Sequence, residues 1–262
     1  MTIYSFETAK AGVEEKNNED SFRIRQINME KTMVLMSDGA STGVFSKEWS
    51  DHITNNIDSS WLKSVDDLEY GLNTLRESFK PNITRQTALR KFLMEGSYAT
   101  LLALLIEEDT GWFSSKLDLT LYSIGDVCVF VFSEDGSLEF SFPYTRYEDF
   151  NNVPDLIRTS EKLQKKTPYV IKPSSFKTSA KSLIVVASDA ISEYLFQAKD
   201  EGKLLSSIED IVACENNENF KKLMDIYRQE MNMKNDDVTV CVLTKEPELY
   251  FRKGVNHGLP GA

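Results

Sequence analysis

The sequence predicts an α+β domain with antiparallel sheets, and two observations carry that reading. Short runs rich in Val, Ile and Leu recur along the chain, most of them meeting an acidic residue at one end. Segments with helical spacing do not alternate regularly with those runs, whereas a doubly wound parallel fold would place a helix between successive strands. With 262 residues and nothing resembling a linker, we expect one domain over 1–250 and a flexible tail over 251–262.

The elements follow in order. Residues 32–36 (TMVLM) run into Ser37-Asp38-Gly39, a buried strand ending in a turn. The spacing predicts helices over 48–57 and 65–80, the second stopped by Pro81, and a shorter one over 88–95 stopped by Gly96. Residues 96–106 (GSYATLLALLI) suit strand or buried helix; Gly96 punctuates the start, which favours strand. Two further strands are expected at 119–124 (LTLYSI), running into Gly125-Asp126, and at 127–132. Residues 183–187 (LIVVA) end at Ser188-Asp189, and 238–243 (VTVCVL) follow Asn235-Asp236-Asp237. Amphipathic helices are expected over 204–214 and 217–231. The stretch 140–181 is polar and carries Pro143, Pro154, Pro168 and Pro173; it reads as a lid or flap, or as short elements without strong periodicity.

Composition narrows the function. Thirty basic against 41 acidic residues give a net charge of −11, which disfavours nucleic acid as a partner. The longest apolar stretch, 99–106, is far short of the ~20 residues that span a bilayer, so no membrane partner is expected. The start MTIYSFETAKAG lacks a basic region followed by an apolar core, so no secretory signal is expected. Cys128, Cys214 and Cys241 form no CxxC pair and are odd in number, which fits a reducing cytoplasm. Cys128 and Cys241, in apolar runs, are expected to be buried.

Acidic residues stand at five strand ends: Glu19-Asp20, Asp38, Asp126, Asp189 and Asp236-Asp237. A single aspartate there is ordinarily a turn residue or a helix cap. A converging set would instead suit Mg²⁺ or Mn²⁺, hard ions that prefer oxygen ligands and keep several waters. One carboxylate bridging two such ions holds them ~3.5–4 Å apart, and a shared water then becomes a nucleophile for displacement at phosphorus. Other hydrolytic chemistries lack their residues. No Cys is followed six positions later by Arg, only His52 and His257 exist, and no GxxxxGK[ST] loop occurs. Each histidine is expected at the surface rather than on a metal.

The ordered set NNEDSF (17–22), MSDGAS (36–41), GSYATLLALL (96–105), YSIGDVCVF (122–130), VVASDAISEYL (185–195) and NDDVTVCVL (235–243) resembles the protein phosphatase 2C family. Its wording is most similar to bacterial-type members, and the motifs span nearly the whole chain. The resemblance implies a four-layer α/β/β/α sandwich, with two antiparallel sheets face to face and helices outside. It also implies a metal-dependent protein serine/threonine phosphatase holding two Mg²⁺ or Mn²⁺ ions, with a third at a weaker site. On this resemblance Asp38 bridges the core metals and the Gly39 carbonyl binds one of them. Asp189 and Asp236 complete the pair, so that Asp38, Asp189 and Asp236 are catalytic. Glu19 and Asp20 act directly or through waters; Asp126 with Asp189 forms the third site, and Glu193 is a further ligand to it. The implied partner is a phosphorylated Ser/Thr protein, a cognate kinase or its target, and the implied role is cytoplasmic signalling.

The sequence also departs from the family pattern. The arginine that many members carry before Asn-Glu-Asp is absent, leaving Lys16 as the phosphate contact, a point charge without arginine's fork. The eukaryotic histidine after Asp-Gly is Ala40, and a metal-bound water would protonate the leaving group instead. Asp237 replaces the usual Asn, and Ala190 replaces a glycine, which is tolerable at negative φ. These departures motivate an alternative: a phosphatase-like module that binds a phosphoprotein or regulatory partner with little or no turnover.

Overall fold

The apolar runs become the central strands, and the amphipathic segments become the helices. The computed structural model describes residues 1–110, 115–150, 153–166 and 168–251. Among these, the strands are β1 (Thr2–Thr8), β2 (Ser21–Asn28), β3 (Lys31–Ser37), β4 (Tyr98–Ala99), β5 (Leu101–Thr110), β6 (Ser115–Ile124), β7 (Cys128–Phe132), β8 (Leu138–Phe142), β9 (Ile157–Arg158), β10 (Lys172–Ser179), β11 (Leu183–Ala187) and β12 (Val238–Thr244). The helices are α1 (Ser46–Asn56), α2 (Val65–Ser78), α3 (Gln86–Glu95), α4 (Glu161–Gln164), α5 (Asp189–Asp200), α6 (Leu204–Val212), α7 (Asn217–Glu230) and α8 (Pro247–Tyr250). The fold is α+β, as expected, with two five-stranded sheets and a small two-stranded one. Two compact units emerge, one from residues 1–18, 128–150 and 178 onward, the other from 19–127 and 151–177.

In the first unit the strand order is β1-β12-β11-β7-β8, and each neighbouring pair is antiparallel. Alternate residues of the three central strands (Cys128, Phe130, Phe132; Leu183, Val185, Ala187; Val238, Val240, Val242) join the cluster formed with α5, α6 and α7. The opposite face, including Val129, Val131, Ile184, Val186 and Cys241, is buried too. Burial on both faces explains why these strands read as unbroken apolar runs rather than alternating ones. Cys128 and Cys241 are buried, as expected.

In the second unit the order is β10-β6-β5-β3-β2. Here Met33 and Leu35 of β3, Leu101, Ala103 and Leu105 of β5 and Ile124 of β6 pack with Trp49 and Ile53 of α1 and Leu68, Leu72 and Leu75 of α2. Trp49 is fully buried, and its indole N–H donates to the Ile157 carbonyl at 3.0 Å, which satisfies its one donor. Ser64 caps α2 by accepting from the Asp67 N–H, and the helix ends at Ser78 with Phe79 as its C-cap, two residues before the proline.

The stretch 140–181 follows the second of its two sequence readings, short elements rather than one irregular flap: it holds the end of β8, then β9, α4 and β10. Two features depart from the sequence reading. Strands β1 and β2 escaped notice because they are mostly exposed and carry no apolar run. Helix α5 escaped notice because it starts directly at Asp189, with no loop to announce it. Phe251, the first residue assigned to the tail, packs edge-on against Tyr4, while 252–262 lie outside the described residues.

Candidate metal centre

In the unit built on residues 19–127, β3 delivers Asp38 and Gly39 at its end, and three backbone contacts fix them. The Asp38 N–H donates to the Thr100 hydroxyl at 2.9 Å, and the Thr100 N–H donates back to the Asp38 carbonyl at 2.8 Å. The Gly39 N–H donates to the Glu19 carbonyl at 3.2 Å, which ties the two acidic motifs together. A side chain at 39 has no room: a Cβ would lie 2.8 Å from the Ser46 carbonyl and 2.9 Å from that of Glu19. Glycine is required there by close approach of backbone. Helix α1 secures the same corner. The Ser50 hydroxyl donates to the Glu19 carbonyl and the Lys47 ammonium to that of Asp20, each at 2.7 Å, and Ser41 donates to the Glu19 carboxylate. Asp20 is buried and Asp38 half-buried. Asp126, also buried, follows Gly125, whose φ of 99° lies in the left-handed region that other residues avoid.

In the other unit, β11 ends at Ala187, Ser188 is the N-cap and Asp189 opens α5, where the N-terminal end of the helix dipole favours a carboxylate. Asp236 and Asp237 precede β12, the antiparallel neighbour of β11. The two carboxylates share one cation. Lys234 Nζ lies 2.6 Å from Asp189 Oδ2 and 3.0 Å from Asp236 Oδ2. Lys10 Nζ is 3.9 Å from the other oxygen of Asp236. Burial pushes the Asp189 carboxyl up from its usual range, and the Lys234 ammonium opposes that shift. Burial also works against the Lys234 charge, but Asp189 and then Asp236 outweigh it and hold its pKa above the ordinary lysine value. Glu193, one turn along α5 and half-buried, is raised mainly by burial.

The loop holding Asp236 is pinned by Arg228 of α7, whose buried guanidinium donates to the Asp236 carbonyl at 2.9 Å and pairs with Asp225. Asp237 accepts the Lys10 N–H at 2.9 Å, a role that needs only a side-chain oxygen and that asparagine would fill equally. Ala190, inside α5, is not among the positive-φ residues, so the alanine costs no backbone strain.

Lys16 sits in a short 3₁₀ turn, highly exposed and paired with Glu14. His52 hydrogen-bonds to Ser78 and stacks on Trp49 in α1; burial lowers its pKa. His257 lies outside the described residues. Sequence reasoning missed Lys234, Lys10, Thr100 and Arg228; the one local signal was a lysine two positions before Asp236.

Among the described residues, no three His, Cys, Asp or Glu side chains converge as a ready metal cluster. Mg²⁺ nonetheless typically takes one or two carboxylates and completes its shell with water. The Asp189–Asp236 pair fits that demand, because its hard oxygens already share a cation in the Lys234 ammonium.

No family model matches the sequence, and no curated protein matches it. The fold does have solved counterparts. The serine/threonine phosphatase Stp1 from Staphylococcus aureus is 13% identical with a TM-score of 0.58, over 93% of this chain and 94% of its own. A bacterial serine phosphatase is 13% identical at 0.57, over 93% and 97%. The photosystem II phosphatase PBCP is 15% identical at 0.56, over 93% and 98%. This chain therefore shares the fold of these phosphatases, and that fold agrees with the resemblance of its sequence motifs to the protein phosphatase 2C family. Among the described residues no helix is long and apolar enough to cross a membrane.

Proposed function

We propose that this protein is a cytoplasmic, divalent-metal-dependent protein serine/threonine phosphatase acting on phosphoserine and phosphothreonine. The observation that carries the reading is that Asp189 and Asp236, at the ends of neighbouring strands, converge on a single cation. The shared fold supports it. The proposed metal ligands are Glu19, Asp20, Asp38, the Gly39 carbonyl and Asp126 in one unit, and Asp189, Glu193 and Asp236 in the other. Bound Mg²⁺ or Mn²⁺ would supply positive charge that lowers the pKa of a water and offsets charge on the phosphoryl group.

The chain's own residues have definable tasks. Thr100 and Glu19 hold the Asp38-Gly39 backbone rigid, so the carboxylate is presented without reorganisation. Arg228 does the same for Asp236 through its carbonyl. Lys16, exposed and paired with Glu14, would leave that carboxylate to attract the substrate phosphate and, without a fork, would contribute little to orienting it. The proposed partner is a phosphoprotein of a kinase pathway, the kinase itself or its target.

The test is phosphate release from a phosphothreonine peptide, with and without Mn²⁺, by wild type and Asp38→Asn. We expect release that requires Mn²⁺ and falls at least about 100-fold in the variant, equivalent to ~2.7 kcal/mol of barrier. Inertness of a folded, Mn²⁺-loaded wild type would sink the enzymatic reading.

A further inference from the structure

Lys234 reaches its position because the loop between α7 and β12 is pinned on both sides. Asn232 turns the chain with a φ of 55°, and the Met233 N–H donates to the Tyr227 carbonyl at 3.1 Å. The Met233 side chain is buried in the cluster with α5, α6 and α7, and the Asp236 N–H donates to the Lys234 carbonyl. The lysine backbone is thus fixed beside the carboxylates, and its flexible stem keeps the ammonium at a high effective concentration there. The side chain is still 41% exposed, so a route to solvent stays open. One ammonium offsets only half the charge of two carboxylates, whereas one divalent ion offsets all of it. The two cations cannot share the position, since the ammonium already lies within hydrogen-bond distance of both Oδ2 atoms.

We propose that Lys234 is an internal competitor for metal: a tethered cation that holds the Asp189–Asp236 pair and must be displaced before a divalent ion binds there. The proposal rests on the metal-centre reading above and adds regulation of its loading. The ammonium offsets half the charge of the pair and links its two carboxylates, and it sets the metal concentration at which the pair loads. When the competent state is only a fraction of the population, apparent affinity drops by that fraction. A lysine seated in nine molecules of ten therefore weakens binding about tenfold.

The test is Mn²⁺ titration of wild type, Lys234→Met and Lys10→Met, reading the loss of the free-ion electron paramagnetic resonance signal, with folding checked by circular dichroism. Lys10→Met removes the same charge beside Asp236 without vacating the space between the carboxylates. We expect Lys234→Met to bind Mn²⁺ about tenfold more tightly and Lys10→Met to stay within about threefold of wild type. Should Lys234→Met fail to fold without metal, Lys234→Gln keeps a stem and a donor and carries the same expectation. Unchanged or weaker binding by the Lys234 variants, or equal gains from both lysines, overturns the competitor and leaves the metal centre standing. If none of the folded proteins takes up Mn²⁺, the competitor and the metal-dependent phosphatase fall together.

Discussion

The Asp38 corner and the Asp189–Asp236 pair present carboxylates from strand ends, yet they are held by different forces. Around Asp38 the ties are neutral backbone hydrogen bonds and tight packing: Thr100 clamps both sides of the peptide, and Gly39 leaves no space for a methyl group. At Asp189 and Asp236 the tie is a charge, the Lys234 ammonium, partly open to water. The backbone ties of the first carry no charge and depend little on ionic strength. The second responds to salt and to added metal, because salt screens exposed charge and a divalent ion competes for the same oxygens. Rigid presentation and adjustable occupancy are thereby assigned to separate segments of chain.

The comparison breaks most readily at Gly39. Gly39→Ala forces a Cβ against the Ser46 and Glu19 carbonyls and is expected to destabilise by about 3 kcal/mol, read as a lower urea midpoint with unchanged slope. A variant as stable as wild type would show that the corner yields easily. Next comes Thr100→Val, which keeps shape but leaves the Asp38 N–H without its hydroxyl acceptor. A loss of about 2 kcal/mol is expected, and it should be the same in low and high salt. A salt-dependent deficit would mean that charge, after all, organises this corner.

The smallest effect sharpens the contrast from the charged side. Glu15 accepts from the Ala9 N–H at 2.8 Å, from Thr8 and from Lys221 at 2.7 Å. Burial raises its pKa, but those donors together bring it below the usual 4.5. With a depressed folded pKa, its contribution is present above that value and is lost as pH falls through the lower folded one. Glu15→Gln should therefore cost no more than about 0.5 kcal/mol at neutral pH. Its melting temperature should also fall less than that of wild type between about pH 5 and pH 3. Parallel curves for the two proteins would show that Glu15 titrates alike in folded and unfolded chains.

Much of this was legible in the residues themselves. The runs at 32–36, 119–124, 183–187 and 238–243 became β3, β6, β11 and β12, because strands buried on both faces write their burial as continuous apolar sequence. The Asp-Gly, Gly-Asp and Ser-Asp punctuation marked where those strands end, since local turn and cap chemistry is carried by neighbouring residues. The edge strands β1 and β2 were not legible, because exposure removes the apolar signal, and the supposed flap hid β10 for the same reason.

What holds Asp38 and Asp189 was decided by tertiary structure alone. Thr100 stands 62 positions from Asp38, and Lys234 stands 45 from Asp189. Strand pairing brings each couple together: β5 sits beside β3, and β12 beside β11. A residue's type and its neighbours encode whether it is buried and how the chain turns. Which ammonium meets which carboxylate depends on the register between distant strands, and Coulomb and hydrogen-bond energies act on that distance through space, not along the chain.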